Sequence, residues 1–119
     1  EGIRPGTHIN AIGADAPGKE ELDPAILQRA LIVVDSWEQA VHSGEINVPI
    51  DRGLITREDI YAELGEIVAG LKPGRTRPDQ ITVFDSTGLA IQDIASAHVV
   101  WAKARTQDVG LEVDIVGVG

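Results

Sequence analysis

The chain contains no cysteine and no methionine, and only four of its 119 residues are aromatic: two Trp, one Tyr and one Phe. Without cysteine there is no disulfide framework, no thiolate nucleophile and no thiolate metal site. Basic residues are also scarce. Ten Lys and Arg stand against 19 Asp and Glu, and the resulting net charge of −9 argues against nucleic acid or an anionic membrane surface as a partner. No apolar run approaches the roughly twenty residues that span a bilayer, and no charged leader with an apolar segment and cleavage site opens the sequence. The expectation is a soluble, cytoplasmic protein. The abrupt start Glu1-Gly2-Ile3, in a sequence without Met, further predicts that these residues are part of something longer.

What is present suits one modest domain, since 43% of the residues are hydrophobic. Residues 7–12, β-branched and bounded by Gly6 and Gly13, read as a short buried strand. Asp23 followed by Pro24 is an N-cap with proline at the first helical position, opening a helix to about Arg29. The unbroken apolar run Leu31 to Val34 suits a strand covered on both faces, and it ends at Asp35. Ser36 with Gln39 forms a capping-box pattern for a short helix stopped near Gly44, and the proline-bearing INVPIDRG segment that follows reads as irregular.

Thr56 with Asp59 approximates a cap, and Ile60, Leu64, Ile67 and Val68 recur at helical spacing, predicting a helix over residues 57–69. Residues 71–80 read as a surface loop, and Ile81 to Phe84 as a strand. The turn Asp85-Ser86-Thr87-Gly88 offers two hydroxyls as caps for a long helix to about Thr106, apolar enough to be clasped on more than one side. Residues 112–116 would add a last strand or continue into a neighbouring domain. This alternation implies an α/β fold, half of a doubly wound parallel sheet with a long C-terminal helix.

Loops that follow parallel strands share one edge of the sheet, so Asp15, Asp35 and the Asp85-Ser86-Thr87 turn are expected to line one crevice. The stretch NAIGADAPGK nearly forms a phosphate loop, with Gly13, Gly18 and Lys19 in register, but Glu20 stands where a Ser or Thr hydroxyl should hold Mg²⁺. On the residues alone, Asp15 is either a turn residue bonded to local backbone or a carboxylate for acid/base work. Lys19 is either a solvated charge or an anion contact. Asp35 occupies the place of a ribose-binding acid, but the glycines before it are too few, so it reads as part of the polar turn before Ser36. His8, His42 and His98 show no metal-ligand spacing, Trp37 and Trp101 read as packing residues, and no Gly-x-Ser-x-Gly turn occurs.

Taken as a set, NAIGADAPGKEEL, SWEQAVHSGEI and ITVFDSTGLAIQD resemble the C-terminal part of the ornithine cyclodeaminase and mu-crystallin family, most nearly its archaeal alanine dehydrogenase-like members. The resemblance covers almost the whole chain. It implies that residues 1–119 are the second half of a Rossmann-like domain binding NAD or NADP, plus a helix returning to an N-terminal domain absent here. It places Asp15 at the catalytic acid/base, Ile12, Gly13, Ala14, Lys19 and Ser86 at the cofactor, and Thr87 beside the substrate. The implied enzyme converts alanine to pyruvate and ammonia, with ornithine cyclisation to proline as the alternative and a non-catalytic mu-crystallin-like binding protein as a third reading. The implied partners are the N-terminal portion, a small amino-acid substrate and a second copy in a homodimer. The isolated chain, lacking the glycine-rich turn and the family's substrate-binding Lys and Arg, is expected to be inactive.

Overall fold

The computed structural model describes residues 2–115 and 117. The chain divides into two compact units, one ending at Gly88 and one beginning at Leu89. The first is built on four strands, β1 (His8–Ala11), β2 (Ala30–Val34), β3 (Ile60–Glu63) and β4 (Ile81–Asp85). They are all parallel, in the order β1-β4-β2-β3. Between them run the short helices α1 (Pro24–Leu27), α2 (Trp37–Ser43), α3 (Asn47–Asp51) and α4 (Leu64–Val68). This is the expected α/β architecture, half of a doubly wound sheet.

One face of the sheet carries the core. Ala11, Ile32, Val34, Ile60 and Val83 pack there against Leu27 of α1, Ala40 of α2 and Ile46. These positions alternate along their strands, as a two-residue period requires. β2 is central and its Ile32, Val33 and Val34 are buried, whereas β1 lies at the edge of the sheet and buries only Ala11. The expectation that residues 7–12 are buried therefore fails, because among the described residues β1 pairs with β4 alone.

The helix expected over residues 57–69 is instead a 3₁₀ turn (Arg57–Asp59), then β3, then α4. Ile60 and Ala62 are buried while Tyr61 and Glu63 are only half-buried, so a two-residue period prevails over the helical spacing once β2 offers a strand to pair with. The INVPIDRG segment is not irregular either. It contains α3, and Pro49 sits in its first turn, where a missing N–H costs no helical bond. Asp23 caps α1 as expected, its carboxylate accepting the Ala25 N–H at 2.9 Å. Ser36 makes no side-chain cap on α2; the Ser36 N–H goes to Asp35 and the Trp37 N–H to the Glu63 carboxylate.

The second unit is dominated by α5 (Ala90–Gln107). None of its residues is buried, and Ile91, Ile94, Val99, Val100 and Trp101 are exposed. Among the described residues nothing clasps α5, and the elements expected to cover it include an N-terminal portion that lies outside these residues. Residues 112–115 form no strand, and Val116 lies outside the described residues.

Candidate functional site

The ends of three strands lie side by side. Ala11 is in register with Asp85, and Asp85 with Val34. The Ser86 N–H donates to the Ala11 carbonyl at 3.0 Å and the Asp35 N–H to the Asp85 carbonyl at 3.1 Å. The loops beginning at Ile12, Asp35 and Ser86 therefore share the C-terminal edge, as the parallel topology demands.

From β1 the chain passes through Ile12, whose side chain is exposed, and Ala14, which is buried. Gly13 fits because the Glu21 carboxylate lies over it, in the space a Cβ would occupy. Asp15 then projects outward with its side chain 69% exposed, and its carboxylate accepts a 2.5 Å hydrogen bond from Lys19 Nζ. That bond, reinforced by the Lys19 charge, holds the Asp15 carboxyl below the ordinary aspartate range. Lys19 does not open a helix. Residues 19–22 are irregular, α1 starts only at Pro24, and Glu20 pairs with Arg52 at 3.1 Å. The loop therefore lacks the helix N-terminus on which a phosphate loop depends.

Asp35 is committed elsewhere. It is buried, and its two oxygens accept from the N–H groups of Ser36 (2.8 Å), Thr87 (2.7 Å) and Gly88 (2.8 Å) and from Ser86 Oγ (3.2 Å). Thr87 Oγ1 lies 3.1 Å from both Asp35 Oδ1 and Gln39 Oε1, and its single proton serves one of them at a time. The hydroxyls of Ser86 and Thr87, expected as caps for α5, are instead drawn back onto Asp35, and α5 begins without a side-chain cap at Leu89. Among the described residues no hydrogen bond or ion pair joins the Asp15–Lys19 pair to Ser86 or Thr87.

Beneath the loop lie Glu45 and Asn47, which sequence reasoning passed over, together with Asp85, which it placed at the crevice and not in the interior. Asp85 and Glu45 are both fully buried, and Asn47 nearly so. Burial pushes the Asp85 carboxyl up to about 6 and raises that of Glu45, against the backbone N–H bonds each accepts. Their only signal in the sequence is a polar side chain beside apolar neighbours, Glu45 and Asn47 flanking Ile46 and Asp85 following Phe84. A groove of about 440 Å³ opens on the other face of the sheet, between Leu31, Val33, Phe84 and α4 residues Leu64 and Ile67. None of the sequence-predicted site residues lines it. Among the described residues, no three His, Asp or Glu side chains converge as a metal site would require.

Set against known proteins, residues 1–108 match the model of the ornithine cyclodeaminase/mu-crystallin family. The chain belongs to that family. Among curated members it is 58% identical over 113 residues to the alanine dehydrogenase of Archaeoglobus fulgidus, an alignment covering 95% of this chain and 35% of that protein. Among solved structures it matches an archaeal alanine dehydrogenase dimer with bound NAD at 57% identity and a TM-score of 0.87, covering 95% of this chain and 35% of that one. It matches the Thermococcus litoralis Δ1-pyrroline-2-carboxylate reductase, in complex with NADH and L-proline, at 44% identity and a TM-score of 0.86, covering 93% and 35% of the two chains. The chain thus spans about a third of the length of the family members it matches.

Proposed function

We propose that these residues are the C-terminal part of an NAD(P)-dependent amino-acid oxidoreductase of the alanine dehydrogenase type, with Asp15 as its acid/base. One observation carries the reading. Of the acids at or just beyond the strand ends, Asp35, Glu63 and Asp85 accept backbone N–H groups, whereas Asp15 is exposed and, among the described residues, its side chain pairs with Lys19 alone. A carboxylate without a structural duty, at the edge where parallel sheets place ligands, is available for chemistry. The degree of identity to an alanine dehydrogenase supports the substrate class, and the NAD and NADH of the similar complexes support a nicotinamide cofactor.

The residues present suit such a cofactor: exposed Ile12 offers an apolar surface, Lys19 a cation and Ser86 a polar turn. Bound nicotinamide would supply the acceptor for the hydride leaving the substrate α-carbon. Asp15, kept ionised by Lys19, takes a proton from the water that attacks the resulting imino carbon and returns it to the departing nitrogen. Lys19, when drawn toward an anionic cofactor, leaves Asp15 with a higher proton affinity, which suits both halves of that transfer. An ornithine side-chain amine in place of water gives the cyclodeaminase outcome, and Asp15 serves either route.

On this reading the chain works joined to an N-terminal portion that supplies the glycine-rich turn and the substrate's Lys and Arg, in a cytoplasmic homodimer acting on a small amino acid. Among the described residues no helix is long and apolar enough to cross a membrane. The test is cofactor reduction by the full-length protein with L-alanine, compared with ammonia and proline release from L-ornithine. Pyruvate formation supports the reading. Cofactor binding without turnover on any amino or imino acid favours the mu-crystallin-like alternative.

A further inference from the structure

The loop that carries Asp15 and Lys19 is gripped from below at four backbone groups by two side chains of a single turn. Glu45 Oε1 accepts the N–H groups of Glu21 (2.8 Å) and Leu22 (2.6 Å). Asn47 Oδ1 accepts the Gly18 N–H at 2.9 Å, and its Nδ2 donates to the carbonyls of Lys19 (2.8 Å) and Gly44. The turn is itself pinned to the sheet, for the two oxygens of Asp85, at the end of β4, accept the N–H groups of Glu45 (2.9 Å) and Ile46 (3.2 Å). Gly44 makes room for this: a Cβ there would sit 2.5 Å from Asp85 Oδ2 and 2.9 Å from the Ala40 Cα.

We propose that Asp85, Glu45 and Asn47 form a positioning relay that fixes the height and tilt of the Asp15–Lys19 loop relative to the sheet edge, and so set where Asp15 meets its substrate. The assignment rests on Asp15 being the acid/base. None of the three touches a reacting atom; they act through the loop backbone. An exposed ion pair of two flexible side chains cannot hold its own place. Bonds to Gly18, Lys19, Glu21 and Leu22 fix the chain on the C-terminal side of Asp15, while β1 fixes it on the N-terminal side. The investment is large for a surface loop, because Asp85 and Glu45 are both completely buried carboxylates and, among the described residues, Glu45 Oε2 has no hydrogen-bond partner. Burial raises both carboxyls, which marks the cost of holding them in that position.

Native-state hydrogen exchange on the full-length protein tests the relay without relying on turnover. Asp85→Asn is expected to speed exchange at Glu45 and Ile46, which Asp85 touches, and also about tenfold at Glu21 and Leu22, which it does not. Unchanged Glu21 and Leu22 amides, or equal acceleration of every β2 amide, would overturn it. Should Asp85→Asn not fold, Glu45→Gln, which keeps the accepting oxygen, is expected to preserve the protection of Glu21 and Leu22 that Glu45→Ala removes. Equal loss in both contradicts the relay. Asn47→Ala is expected to raise the KM for NAD⁺ about fivefold or more, with a smaller change in kcat, as Lys19 loses its place; an unchanged KM counts against it. Because the exchange results do not depend on catalysis, they can fail while Asp15→Asn still abolishes turnover, and the reverse.

Discussion

The chain leaves β1, β2 and β4 at the same sheet edge with an aspartate at or just beyond each strand end, yet the side chains are used in opposite ways. Asp35 and Asp85 turn inward, the first approached by three backbone N–H groups and two hydroxyls and the second by two backbone N–H groups. Asp15 turns outward to a single lysine. The difference shows that an acid at the active edge of a parallel sheet is not informative by position alone. What separates a structural carboxylate from an available one is whether its lone pairs are already filled.

Substitutions at these acids and their neighbours differ in expected effect. The largest effect on stability is expected from Asp35→Ala, which leaves the Thr87 and Gly88 N–H groups without their acceptor. A loss of about 3 kcal/mol should appear as faster exchange of the β2 and β4 amides. The next comes from Asp85. Its carboxyl, raised by burial to about 6, binds a proton in the fold that the unfolded chain has already released, so its contribution to stability is largest below about pH 4 and falls as pH rises through 6. Urea unfolding of the full-length protein and of Asp85→Asn should therefore converge or cross in the variant's favour between pH 4 and 6, by up to about 3 kcal/mol. A difference independent of pH would contradict the assignment.

Gly44→Ala forces a Cβ onto the Asp85 carboxylate and the Ala40 Cα and is expected to cost about 2 kcal/mol in the same urea assay. Asp15→Ala is the smallest. With an exposed carboxylate and one surface partner, it should leave the urea midpoint where it was.

Part of this contrast was legible in the sequence. Apolar runs ending in Asp35 and Asp85 located the strands and their common edge, and Asp23-Pro24 marked a helix start that the structure keeps. Other features depended on tertiary partners. Ile60 to Val68 satisfies a helical period as well as a strand followed by a turn of helix, and only pairing with β2 decides between them. Ser86 and Thr87 have the chemistry of caps, but Asp35 arrives from a distant position and draws their hydroxyls away, while the Trp37 N–H at the start of α2 goes to Glu63. Glu45 and Asn47 left almost no trace, because a buried polar side chain is recognised by what it reaches, and their targets lie more than twenty residues away.

The most direct test takes one variant and reads two quantities from it. Asp15→Asn in the full-length protein, measured for L-alanine-dependent cofactor reduction and for urea unfolding, is predicted to lose about a hundredfold or more in turnover while its unfolding curve stays where it was. Turnover retained within about twofold would remove Asp15 from the chemistry, and a destabilisation comparable to that of Asp35→Ala would show that its carboxylate is as structural as the others.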